Sequence, residues 1–194
     1  MSSVATPFGA EPVGTLSASG SFSGKVRHYP IATTYGTQIS YGDFVTFVTG
    51  GGVEKNVVTD TGTVATLGVF MGCFYTDPTT NQPTFSQYWP ASNAATDAQA
   101  YVADDPDLLF RMQGSGAITA DDRGNNIEIV VTAGDTVMGK SRNAANAATA
   151  TTNTFPLRLV EFYVGPDSAI GDAYTDVICM FNHGLHFYRQ PLGI

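Results

Sequence analysis

The stretch Val64-Ala65-Thr66-Leu67-Gly68-Val69-Phe70-Met71-Gly72-Cys73-Phe74-Tyr75 decides the fold class. It is apolar almost throughout, rich in β-branched and aromatic side chains, and interrupted by two glycines. That texture predicts a buried strand. Glycine inside a strand predicts a bulge, a bend or the close approach of another backbone.

The same chemistry recurs outward from this run. On its N-terminal side, Tyr41-Gly42-Asp43-Phe44-Val45-Thr46-Phe47-Val48 opens on Gly-Asp and stops at Gly50-Gly51-Gly52, with residues 53–58 as the return strand of a hairpin. On its C-terminal side, Asp77-Pro78 and Gln82-Pro83 are turn chemistry. Short strands are then expected at 101–103, 108–113, 127–131, 155–165 and 176–183. Residues 93–100 are Ala-rich and polar and suggest a helical turn. Residues 139–154, rich in Ala, Asn and Thr, suggest an exposed loop with one helical turn. Eight to ten short strands between turn signals, with almost no amphipathic helix, predict a mainly β chain: a single-domain antiparallel β-barrel or β-sandwich. Residues 1–24 differ in texture, being rich in Ser, Gly and Ala. They are expected to form a flexible, extended N-terminal arm before a β domain at 25–194: either a frayed end or a segment that orders against a neighbouring subunit.

Composition narrows the function. Of 194 residues 43% are hydrophobic, enough for a sizeable core, while only 13% are charged. The net charge of −8 and the lack of any Lys/Arg cluster argue against nucleic acid and against an anionic membrane surface as partners. No apolar run approaches the ~20 residues of a membrane-spanning helix. Met1-Ser2-Ser3-Val4 does not begin a secretory signal, so either synthesis and retention in a cytoplasm or release by a route other than a signal peptide is expected. Cys73 and Cys179 sit in apolar runs and are expected as buried thiols, with a disulfide as the alternative if their strands are neighbours.

Constellations that could carry chemistry are sparse. His183 and His186, with Asp176 or Glu161, could be joined in a metal site, yet the ligand spacing of known barrel sites is missing. Asp104, Asp105 and Asp107, like Asp121 and Asp122, could offer oxygens to calcium; Asp-Asp-Pro-Asp is equally a natural turn. Ser115 lies between glycines without a nucleophile elbow, and Gly50-Gly51-Gly52 does not lead into a phosphate-binding helix. The expectation is a chain that is not an enzyme and holds no cofactor and no metal. Tyr88-Trp89 could stack on a sugar ring, against which stands the commoner role of a large aromatic as core or interface anchor.

Five segments together carry a resemblance: Val26-Arg27-His28-Tyr29-Pro30-Ile31-Ala32, Ile39-Ser40-Tyr41-Gly42-Asp43-Phe44-Val45, Leu67-Gly68-Val69-Phe70-Met71-Gly72-Cys73, Tyr88-Trp89-Pro90-Ala91, and Val102-Ala103-Asp104-Asp105-Pro106-Asp107-Leu108-Leu109-Phe110. Their order resembles a group of virion proteins encoded with the head genes of tailed bacteriophages, over residues 22–190. The Gly-Asp-Phe-Val strand start and the Leu-Gly-Val-Phe-Met-Gly strand also resemble head decoration, or cement, proteins: small β-rich subunits on the capsid exterior. The resemblance implies a virion location on the outer face of the head, with the phage major capsid protein and further copies of the chain, as a homotrimer, for partners. It supplies no catalytic residues. Contact residues expected on composition and exposure are Pro12, Val13, Leu16 and Phe22 in the arm, with Tyr88 and Trp89. A tail or head–tail connector component is the alternative within the virion, and a carbohydrate-binding module or small barrel enzyme the alternative outside it. A chain of 194 residues without a long helix is short for a major capsid protein.

Overall fold

The computed structural model describes residues 4–16, 20–57 and 66–191. Thirteen strands are assigned among them: β1 (Glu11–Thr15), β2 (Arg27–Pro30), β3 (Phe44–Phe47), β4 (Val53–Lys55), β5 (Gly68–Thr76), β6 (Pro83–Ser86), β7 (Gln99–Ala103), β8 (Leu108–Gln113), β9 (Asn126–Ile127), β10 (Ile129–Val130), β11 (Ala144–Ala145), β12 (Leu157–Phe162) and β13 (Asp176–Phe181). One antiparallel sheet runs β1-β8-β13-β12-β9 and the other β2-β7-β5-β3-β4, with β6 added beside β5 and a small β10-β11 pair apart. Neither sheet closes on itself, so the architecture is a β-sandwich and not a barrel.

The two sheets meet through Phe44, whose ring lies 5.4 Å from Phe110 and 6.0 Å from Phe181. Val69 and Ala103 join it from one side, and Met112, Leu157, Leu159 and Cys179 from the other. A second core lies on the opposite face of the β5 sheet, where Val45, Phe70 and Cys73 pack with Ile31, Ile39 and Trp89. This sheet is therefore buried on both faces, which is why its central strand reads as a continuous apolar run and not as an alternation. Both expectations for its glycines are met. A Cβ on Gly68 would sit 2.4 Å from the Ala103 carbonyl oxygen, and the β5–β7 register slips at Gly72, where φ is +134°. Residues 58, 64 and 65 of the expected strands lie outside the described residues.

Several expectations need correction. Residues 93–100 form no helical turn; Asn93 caps the Ala95 amide and β7 begins at Gln99. Residues 139–154 are not simply exposed: Ser141, Asn143, Ala144 and Ala145 are buried, and β11 pairs with β10. The stretch expected as a mobile arm supplies β1, an edge strand paired with β8 of the same chain, with a bulge at Val13. Ahead of it the Thr6 amide donates to Gln113 Oε1, and the Phe8 ring packs on the Arg111 guanidinium. Residues 1–3 and 17–19 of the arm lie outside the described residues. Outer strands are blunted: β1 holds Pro12 and the bulge, β2 ends on Pro30, β4 has three residues, β9 two, and the four-residue β6 opens on Pro83.

The chain after β13 straps across the second core. Phe187 packs on Phe47 at 4.8 Å, and the Tyr188 hydroxyl donates to Asp104 Oδ2, which also accepts from the Tyr29 hydroxyl. Arg189 pairs with Asp107 at 2.6 Å, so the Asp-Asp-Pro-Asp turn serves as the anchor of this strap. His186 is fully buried against Phe181, and its Nε2 has no hydrogen-bond partner. Burial lowers its pKa from 6.5 to about 4. The folded state then binds fewer protons than the unfolded one across that window, so stability falls as pH drops from 6.5 toward 4. This single group should remove about 3 kcal/mol over the window, and His186→Phe should flatten that part of the profile in urea unfolding at stepped pH.

Candidate interaction surface

A buried polar centre governs the segment from Thr132 to Ala145. Asp43, fully buried ahead of β3, receives four donors. Lys55 Nζ on β4 lies 2.9 Å from Oδ2, which also accepts from the Ser40 amide at 2.8 Å. Ser141 Oγ at 2.6 Å and Asn143 Nδ2 at 3.1 Å donate to Oδ1. All the lone-pair positions of the carboxylate are thereby used, as burial of a charge demands. Lys55 donates onward to the Thr132 carbonyl, and the Thr132 amide donates to Asn143 Oδ1. The Gly9 amide donates to the Asn143 carbonyl, which fixes the start of β1 to the same centre.

From this base a turn projects outward. The Asp135 carboxylate accepts from the Val137 and Met138 amides, both at 2.8 Å, and from Arg142. These bonds, the Met138 amide first among them, hold its carboxyl below the usual carboxylate range. The Asp135 carbonyl accepts from the Gly139 amide and from Gln38 Nε2. Gly139 adopts φ +66° with the Tyr88 ring pressed against it, so close that a Cβ there would fall 2.2 Å from Tyr88 Cδ1. The tip of this rigid turn is apolar and open: Val137 is 86% exposed and Met138 66%. Between the turn and residues 5–8 runs a groove of about 530 Å³, lined by Pro7, Phe8, Met138, Lys140 and Arg142 among others. An apolar tip whose backbone is already fixed can dock without the cost of ordering that backbone.

The expected contact residues are not all in one place. Tyr88 is half-buried and supports the turn. Trp89 is only 1% exposed; its Nε1 donates to the Tyr35 carbonyl and its ring meets Tyr75 edge-on at 5.4 Å. It is a core anchor, which corrects its place among the contacts and leaves no indole face for a sugar. Pro12 is half-buried opposite Phe110, Val13 and Leu16 are exposed, and Phe22 packs against the inter-sheet core. Leu16 and Phe22 belong to the other end of β1, where the Leu16 amide donates to the Asp107 carbonyl. The Val137–Met138 tip escaped the sequence reading because two apolar residues after Gly134-Asp135 look like any loop. The available signal was the Asp135 position itself, two and three residues before the amides it binds.

The residues weighed for chemistry stand apart. His186 is buried in the strap, Asp176 pairs with Arg111, and Glu161 pairs with Arg123. Among the described residues no three His, Cys, Asp or Glu side chains are grouped to hold a metal ion. Cys73 and Cys179 are free and buried on strands of different sheets, and burial pushes each thiol up to about 12. No helix among the described residues is long and apolar enough to cross a membrane. Comparison with protein-family models, curated proteins and solved structures finds no match in any of the three.

If the Asp135 carboxylate holds the turn, Asp135→Ala should loosen the tip without unfolding the sandwich. Amide hydrogen exchange at Val137 and Met138 should accelerate by at least about tenfold, with a global stability loss of no more than about 1 kcal/mol.

Proposed function

We propose that the chain is a head decoration protein of a tailed bacteriophage, seated on the outer surface of the capsid shell by the Val137–Met138 tip and the groove beside it. The observation that carries this reading is the tip itself. Two large apolar side chains stand open to water on a turn braced by Asp135, Tyr88 and the buried Asp43 centre. Isolated exposed apolar residues are ordinary, but a braced pair beside a groove is the form of an interface anchor. The segment resemblance to decoration proteins points the same way. So does the net charge of −8, which suits an exterior position away from packaged DNA. Binding at symmetry-repeated shell positions would bring copies of the chain close to one another, in keeping with a homotrimer.

Copy number per purified particle, measured by mass spectrometry against the major capsid protein, tests the role. On the order of hundreds of copies in fixed ratio to the shell is the expected result. About a dozen would move the chain to the connector or tail, and none would overturn a virion role altogether. Replacing both Val137 and Met138 by Asp should weaken binding to heads lacking the protein by roughly tenfold or more, with an unchanged circular dichroism spectrum.

A further inference from the structure

The Asp43 centre holds more than an ion pair. An amine, a carboxyl and a carboxamide meet there in an interior closed to water: Lys55 is 8% exposed, and Asp43 and Asn143 are fully buried. The carboxylate bridges the other two, with Lys55 Nζ 2.9 Å from one oxygen and Asn143 Nδ2 3.1 Å from the other, although Asp43 and Asn143 are 100 residues apart in sequence. Thr132 clamps them from the opposite side. Its carbonyl accepts from Lys55 Nζ at 3.4 Å, and its amide donates to Asn143 Oδ1 at 3.0 Å. Lysine is almost never withdrawn from water unless paired, and here the carboxylate that pairs with it also holds a carboxamide, whose carbon an amine can attack.

We infer that Lys55 and Asn143 become covalently joined after folding, by an amide between Lys55 Nζ and Asn143 Cγ that Asp43 brings about. Asp43 links the two reactants, with Lys55 Nζ on one carboxylate oxygen and Asn143 Nδ2 on the other. Asp43 takes a proton from the Lys55 ammonium, which converts a charged buried pair into an uncharged one and frees the nitrogen lone pair. That lone pair attacks Asn143 Cγ. A nitrogen–carbon bond forms, and the carbonyl π electrons move onto Oδ1, where the Thr132 amide stabilises the developing oxyanion. Asp43 delivers its proton to Nδ2 across the 3.1 Å contact, and the Cγ–Nδ2 bond breaks. The surplus proton on the former lysine nitrogen passes through Asp43 to the departing ammonia, which leaves as ammonium, and the carboxylate is restored. The net change converts an amine and a carboxamide into a secondary amide and ammonia, with no oxidant, metal or cofactor. Holding both reactants on one carboxylate supplies the proximity that such an aminolysis lacks in water.

This inference is independent of the decoration role, and the intact mass of the purified full-length chain tests it. The expected mass is lower than that of the sequence by one ammonia, after allowance for the initiator methionine. Tryptic mapping should show no cleavage at Lys55 and a branched peptide joining it to the peptide that contains Asn143. Asn143→Asp should come out one water lighter than its own sequence, and Lys55→Arg at full mass. A native chain at full sequence mass would overturn the inference. So would a missing ammonia traced to a linear peptide, or a Lys55→Arg chain that still lacks it. Should the variants not fold, the native mass and its peptide map decide alone.

Discussion

The burial of Asp43 and Lys55 is the constraint on which the rest of this sandwich leans. Two opposite charges withdrawn from water are tolerable only if every remaining hydrogen-bonding position is filled, and removing one partner of such a pair typically costs about 3–5 kcal/mol. The donors that satisfy Asp43 come from the Ser40 turn, from β4 and from the segment before β11. Meeting this one electrostatic demand therefore fixes the segment before β11 against the β3–β4 pair, to which no named sheet joins it. Gly9 is tied to the same centre through Asn143, so the first strand is set by it as well. The exposed turn at Val137 and Met138 can be rigid because its two ends are rooted here.

The second organising feature is a sheet covered on both faces. Phe44 and Val69 point to the sister sheet, while Val45 and Phe70 point to loops and to the C-terminal strap. Two aromatic-rich cores of this kind explain how a chain with so few charges holds thirteen short strands together. The strap is fastened at its end by charged and phenolic groups around Asp104 and Asp107, where long side chains from β2 and the tail converge.

Much of this was legible in the sequence. Strands β5, β8, β12 and β13 announce themselves because β-branched and aromatic residues run between turn signals, and the two glycines of β5 behave as their positions implied. What escaped has a common physical cause. Residues 141–145 are buried through small and polar side chains, Ser141, Asn143, Ala144 and Ala145, whose hydrogen bonds take the place of apolar area. Hydrophobic pattern is blind to such burial. The same holds for β1, where Pro and Gly in an otherwise polar stretch concealed a paired edge. Of the adjacent pair, Tyr88 lies against the turn at Gly139 and Trp89 faces the core, and two neighbouring aromatics give no hint of which one faces inward. The Asp43 centre was invisible because its members lie far apart in the chain, and Gly42-Asp43 looked complete as the start of a strand.

The blunted outer strands carry a consequence for crowding. A sheet margin with free amides and carbonyls is a template on which another copy can add its own strand, and such addition does not stop at a closed ring. Here a proline, a bulge or mere shortness interrupts that template on the outer strands β1, β2, β4 and β9, and β6 beside β5 opens on Pro83. Copies held side by side at high local density would thus lack a backbone route to fibre growth. Their association would be left to side-chain surfaces, whose geometry can specify a finite number of neighbours.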